Sequence, residues 1–418
     1  MTSATVTTTA TKPRISRVFA ALTLGRVMEQ GLLGLAMLLL AARLGVRDFA
    51  PVSVLFVVNS LSATLADHGV AYSVLRLPPG TALDARQLRR VRGANTVVVA
   101  AAIGAGLALR STTGVIVASG GVMWALSGEG YIRKSAATRE GRARDAALAE
   151  CVSSAAFFAL VAVAAAGERA LAVTAAAFVV KHTIEIVAVP GWRSAFAPGG
   201  VDARPGWIWL TQALAYAISN VDYVLVRLFC GVDAYAIYVV AFRVTYAPYA
   251  QVGSAIVRSS LIHLSTSDDV QRAYNRMVRL VFAAAVVGAV VIGAGATLFP
   301  VVLGSAWKPI VPVVAALAIS LPWRTVLSLG GTLAMRADVL PRLATWELLR
   351  FAATAAGLAA AGLAGFSAFV ATVSVLAIAS ALLTHRAATR AAGIAPWSAL
   401  TPLAGLCAVA AAVLSTRI

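Results

Sequence analysis

Charge is scarce in this chain. Only 12% of its 418 residues are Asp, Glu, Lys or Arg, and 60% are hydrophobic, whereas soluble domains carry about 25% charged residues. That excludes a water-soluble fold built on one buried core. Cysteine is scarcer still. Cys151, Cys230 and Cys407 fall in or at the edge of three different apolar runs, which excludes a disulfide framework. His68, His182, His263 and His385 are dispersed, without the spacing of a metal site. No G-x-x-x-x-G-K-S/T stretch occurs, so there is no P-loop to spend a nucleotide. No G-x-S-x-G element occurs either. No cofactor is implied, and the chain reads as something other than an enzyme.

What is abundant is long apolar sequence. Thirteen candidate spans run over 18–42, 50–75, 94–110, 114–132, 146–166, 170–190, 207–229, 234–261, 279–302, 309–331, 343–362, 365–384 and 397–415. This is the pattern of an all-α, polytopic membrane protein of about 12–14 transmembrane helices. The formal net charge of +18 suggests nucleic acid in a soluble protein. Here the excess sits in the tail and in the loops after even-numbered spans, which hold 22 of the 35 Lys and Arg residues. The positive-inside rule then accounts for it, with no nucleic-acid partner, and places the N-terminus in the cytoplasm and the chain in the cell's inner membrane. The loops after odd-numbered spans are short, about seven residues at most, too short to hold an active site.

Charges inside the spans are the candidate functional groups, because each costs roughly 2.5–3.5 kcal/mol at a helix centre. They are Arg26 and Glu29, Asp67, Glu129, Lys181 with His182 and Glu185, Asp222, Arg227, Arg243, Arg258, Arg324, and Glu347 with Arg350. Arg26/Glu29 and Glu347/Arg350 are spaced i,i+3, and Lys181/Glu185 i,i+4. Each pair can meet on one helix face and neutralise itself. The set as a whole is more cationic than anionic. A wet cationic cavity suits a phosphate or pyrophosphate, which arginine binds through two parallel hydrogen bonds. The expected substrate contacts are Arg26, Arg243, Arg258 and Arg324, backed by Arg227 and Lys181. Glu29, Asp67 and Asp222 are the expected orienting or coupling carboxylates.

An internal repeat supports a two-fold plan. Gly45-Val46, Phe49-Ala50 and Val54 match Gly231-Val232, Tyr235-Ala236 and Val240. The expected domains are a disordered cytoplasmic tail (1–14), two pseudo-symmetric six-helix lobes (15–200 and 201–390), and an additional helix (391–418). Repeats of this kind are common in transporters, with the substrate site between the halves.

Several short motifs carry a family resemblance. The hairpin from Gly25-Arg26 through Ala42-Arg43-Leu44-Gly45-Val46-Arg47-Asp48-Phe49 to Leu65-Ala66-Asp67-His68-Gly69 resembles the opening of the Wzx-type polysaccharide and O-antigen flippases. These belong to the multidrug/oligosaccharidyl-lipid/polysaccharide exporter (MOP) superfamily. Ser219 to Tyr223, Gly231 to Tyr238 and Ala241 to Val244 are similar to that family's seventh and eighth helices. Leu303-Gly304-Ser305-Ala306-Trp307 resembles its L-L-G-x-x-W turn. The sequence departs where Ala50-Pro51 follows Phe49 in place of glycine, and where His68 replaces an apolar residue. The resemblance implies an ATP-independent flippase that moves a polyprenyl-(pyro)phosphate-linked oligosaccharide to the outer leaflet by alternating access. Membrane lipids and other polysaccharide-assembly proteins are its implied partners. The alternatives are a cation-coupled exporter of small organic compounds in the same superfamily, and a membrane-embedded polysaccharide polymerase or ligase.

Overall fold

A computed structural model describes residues 15–76, 81–164, 167–201, 205–266, 269–336 and 340–395. The tail 1–14 and the thirteenth expected span, 397–415, lie outside the described residues. The chain is all-α and polytopic. Its helices are α1 (Ile15–Leu65), α2 (Val70–Arg76), α3 (Ala85–Leu109), α4 (Thr112–Arg139), α5 (Ala143–Ala164), α6 (Ala170–Val187), α7 (Pro205–Thr266), α8 (Val270–Gly295), α9 (Phe299–Leu303), α10 (Ile310–Arg336), α11 (Leu340–Leu363) and α12 (Phe366–Ala391). Among the described residues, nine helices are long and apolar enough to cross a membrane. Helix is the expected solution there, since lipid offers no partner to an unpaired backbone group.

Two of these helices double back. At 1.5 Å per residue, the 51 residues of α1 would reach about 75 Å if straight, far more than the ~30 Å of a bilayer core. The helix breaks at Gly45 (φ 73°, ψ 178°). Its first arm climbs along α5, with Arg26 beside Glu150 and Arg43 donating to the Ala162 carbonyl. Its second arm then descends, bringing Phe56 against Phe157. Helix α7 breaks in the same way at Gly231 (φ 90°, ψ −177°). Tyr216 before the break and Arg243 after it bond the neighbouring carbonyls of Val57 and Phe56. The two breaks stand 186 residues apart, at the glycines of the sequence repeat. Both glycines have a backbone conformation that only glycine adopts without strain.

Other boundaries differ from the sequence reading. The expected second span, 50–75, is interrupted by a turn at 66–69 in which His68 has a positive φ of 51°. The basic stretch expected as a loop before span nine is helical. Asp269 caps α8 by accepting from the Arg272 amide, so the helix begins nine residues early.

The largest apolar core lies at the face of the two breaks and joins both halves of the chain. Phe49 and Met37 from α1, Tyr238 and Phe242 from α7, and Trp307 and Phe369 from the second half all belong to it. Toward the opposite face the core divides. One part lies among α8, α10 and α12, and another among α2, α3, α4 and the linker before α7. That linker is fastened to the first half. Phe196 and Ala197 pair as a short parallel strand with Leu83 and Asp84. Arg92 and Arg133 both lie 4.9 Å from the Trp192 ring, and both bond Glu129.

Candidate functional site

Six charged side chains from four helices close into a ring inside the first half. Arg26 bonds Glu29 at 3.0 Å and Glu150 at 3.3 Å. Lys134 bonds Glu150 at 3.2 Å and Glu185 at 3.3 Å. Lys181 bonds Glu29 at 2.8 Å, and Glu185 as well. Charges therefore alternate around the cycle, three cations against three carboxylates, and each member touches two of opposite sign. Helix α1 supplies two members, α4 one, α5 one and α6 two. All but Arg26 are buried; that side chain is 33% exposed. Two further groups complete the shell: Ser153 donates to Glu185, and His182 lies between Glu185 (3.4 Å) and Asn59 (2.8 Å). Isolated charges at this depth are costly, and pairing with further hydrogen bonds offsets that cost.

A second centre lies between the arms of α7. The Asp222 carboxylate accepts from the Tyr238 hydroxyl at 2.5 Å and from the Tyr223 amide at 2.9 Å. Aromatic rings extend from there: Tyr223, Tyr238, Phe242 and Tyr246 form a chain of edge and tilted contacts. The Arg324 guanidinium of α10 lies over Tyr246 at 4.9 Å and over Phe242 at 5.3 Å. Arg243 reaches across to the first half, donating to the Phe56 carbonyl at 2.8 Å.

These positions divide the expected site residues between two centres. Arg26 and Lys181 are neutralised within the ring, with Glu29 bonding both. Arg243 and Arg324 belong to the centre around α7 and α10. Arg227 is exposed, and the Arg258 side chain lies outside the described residues. Asp67 serves its own turn, accepting from the Ala71 amide and so starting α2. The three same-helix pairs expected from spacing all form. Lys134 was missed because it falls within 133–145, read as a basic loop, and Glu150, inside the fifth expected span, because it has no partner at helical spacing. Tyr238 was missed because Asp222 meets it across the turn at Gly231.

The fold is shared with solved transporters. A MOP superfamily transporter from Pyrococcus furiosus, described as having a binding pocket of reverse polarity that suggests a different function, superposes with a TM-score of 0.66. It is 12% identical, over 90% of this chain and 96% of that one. A MATE protein solved in complex with MaL6 gives 0.65 at 12% identity over 90% and 96%. A multidrug resistance MATE family transporter in its inward-facing conformation gives 0.61 at 14% identity over 87% and 95%. No family model matches the sequence, and no curated protein matches it. At these identities the likeness is one of fold: a polytopic, all-α, MATE-like architecture.

Proposed function

We propose that this chain is a secondary transporter working by alternating access, and that it exports small organic solutes in exchange for a cation. The observation that carries this is the closed ring. Its three cations are already balanced by three carboxylates, so Arg26 and Lys181 have no net charge left for an anionic substrate. What the interior holds outside that balance is the buried Asp222 carboxylate, bonded by the Tyr238 hydroxyl and the Tyr223 amide, the group type that exchanges a proton or binds a cation. In this reading the halves 15–200 and 201–390 are the bodies that rock, and the protein lies in the cytoplasmic membrane with its N-terminus inside.

A second reading has its own support. Arg243 and Arg324 are not part of the ring, and Arg243 lies where the two halves meet. With the resemblance of the turns at 43–49 and 303–307, this favours flipping of a polyprenyl-(pyro)phosphate-linked oligosaccharide, with polysaccharide-assembly proteins as partners. One reconstitution separates the two. Proteoliposomes are loaded with a fluorescent organic cation, and a parallel set with a fluorescent polyprenyl-pyrophosphate oligosaccharide. Dye movement driven by a proton or sodium gradient, and lost in Asp222→Asn, supports the exporter. Flipping of the lipid-linked sugar without dye movement replaces that reading with the second.

A further inference from the structure

Helix α8 presents two unlike faces. Tyr274, Val278, Phe282, Val286, Ala289 and Gly293 are buried. Leu280, Val287 and Val291, each more than 60% exposed, line the other side. At 100° per residue these three fall on the same sector as Arg272, Arg276 and Arg279, within an arc of about 120°. In a membrane protein, an exposed apolar stripe on a spanning helix faces acyl chains. The three arginines begin that stripe at the end of the helix, where acyl chains give way to headgroups.

A cavity of about 710 Å³ opens at this place, lined by the three arginines with Asp269, Gln271, Asn275 and Leu280. Asp269 is the one acid in the lining among the described residues. It is already engaged, accepting from the Arg272 amide at 2.9 Å and pairing with the Arg272 side chain at 3.5 Å. Arg276 has no ion-pair partner among the described residues. Among the described residues, three guanidinium groups around one carboxylate make the lining net positive. The amides of Gln271 and Asn275 add hydrogen-bonding capacity.

We propose that this cavity binds the phosphodiester headgroup of an anionic phospholipid, with the acyl chains lying along Leu280, Val287 and Val291. Arginine suits the role because its planar fork matches two phosphate oxygens. A freely dissolved phosphate uses the arginines but gains nothing from the apolar stripe, so the continuity of the two selects a lipid. The site is distinct from the ring and from the Asp222 centre, and it stands whatever the transported substrate is.

The test uses the full chain purified in neutral detergent. Phosphatidylglycerol, phosphatidylcholine and inorganic phosphate are titrated separately, with thermal unfolding as the readout and native mass spectrometry to count retained lipids. Phosphatidylglycerol is expected to raise the melting temperature and to remain bound, while the other two do neither. At roughly fivefold per basic residue, the triple variant Arg272→Gln/Arg276→Gln/Arg279→Gln loses affinity on the order of a hundredfold. The single variant Arg276→Gln, at the group without an ion pair, loses about fivefold, and keeps the test open should the triple variant fold poorly. Undiminished phosphatidylglycerol binding in Arg276→Gln overturns the proposal. So does an equal shift from inorganic phosphate, which identifies a simple anion site, or from phosphatidylcholine, which identifies a nonspecific lipid effect.

Discussion

Phe49 meets Trp307 edge to face, with ring centroids 5.9 Å apart and neither residue exposed. One closes the turn after the first arm of α1; the other closes the turn before α10. Two short sequence motifs from opposite halves of the chain thus form a single contact. Close by, Arg47 and Asp233 face each other at 3.7 Å from the turns of α1 and α7. That pair is exposed and is worth less than about 1 kcal/mol, so the rings carry the closure.

Phe49→Ala is therefore expected to destabilise the protein by about 3–5 kcal/mol, the usual cost of emptying an aromatic site in a packed core. It also loosens the join between the halves. A cysteine placed at Val46 should react faster with a soluble maleimide in the Phe49→Ala background. Unchanged melting and unchanged labelling would show that Phe49 does not hold this face shut.

In the ring, removing one member strands its neighbours. Glu150→Gln leaves Arg26 and Lys134 with one carboxylate each, and a cost of about 3–5 kcal/mol is expected. Lys134→Met should be comparably harmful. The double variant should cost clearly less than the sum, because the two are directly bonded. Strict additivity in thermal unfolding would count against the ring as a coupled unit.

Gly45→Ala and Gly231→Ala test the breaks. A methyl group at either position meets nothing within 4 Å, so the whole effect is conformational. About 1–3 kcal/mol each is expected, with no rescue by enlarging neighbouring cavities. A neutral result at either site, measured by denaturation in detergent, would mean that the turn can be built another way.

At the loop face, Glu140 is bonded by the Ser194 hydroxyl and by Arg142. Burial pushes its carboxyl up, but those two partners outweigh it and hold the group below the usual carboxylate range. The sign follows from linkage: a lowered folded-state value gives stability that is complete above the unfolded value, about pH 4.3, and lost as acid protonates the folded group. Protection of the amides across 192–197, taken relative to the intrinsic exchange rate at each pH, should be high at neutral pH and fall in acid. In Glu140→Gln it should already be low at neutral pH.

The doubled helices were legible in the sequence because glycine leaves a mark there. Gly45 and Gly231 stand at equivalent points of a repeat, and apolar length alone requires a reversal at each. Pairs within one helix were legible too, since i,i+3 and i,i+4 spacing fixes a shared face. The ring was only partly so. Arg26–Glu29 and Lys181–Glu185 are two of its six links; the other four join different helices, which no spacing rule reaches. The early start of α8 was hidden for a related reason. Its first turns carry arginines that look like a loop until their spacing is laid beside that of the apolar stripe.

The ring also has a mechanical meaning. Four helices are tied by links that each hold two others in place, so none of α1, α4, α5 and α6 can slide without parting ions in a medium that cannot hydrate them. The first half is thereby braced as one stiff block. At Phe56 and Val57, by contrast, α7 is held to the first half by single hydrogen bonds from Arg243 and Tyr216, and the one ion pair described between α1 and α7, Arg47–Asp233, is exposed, so bending between the halves meets far less resistance there than inside the ring.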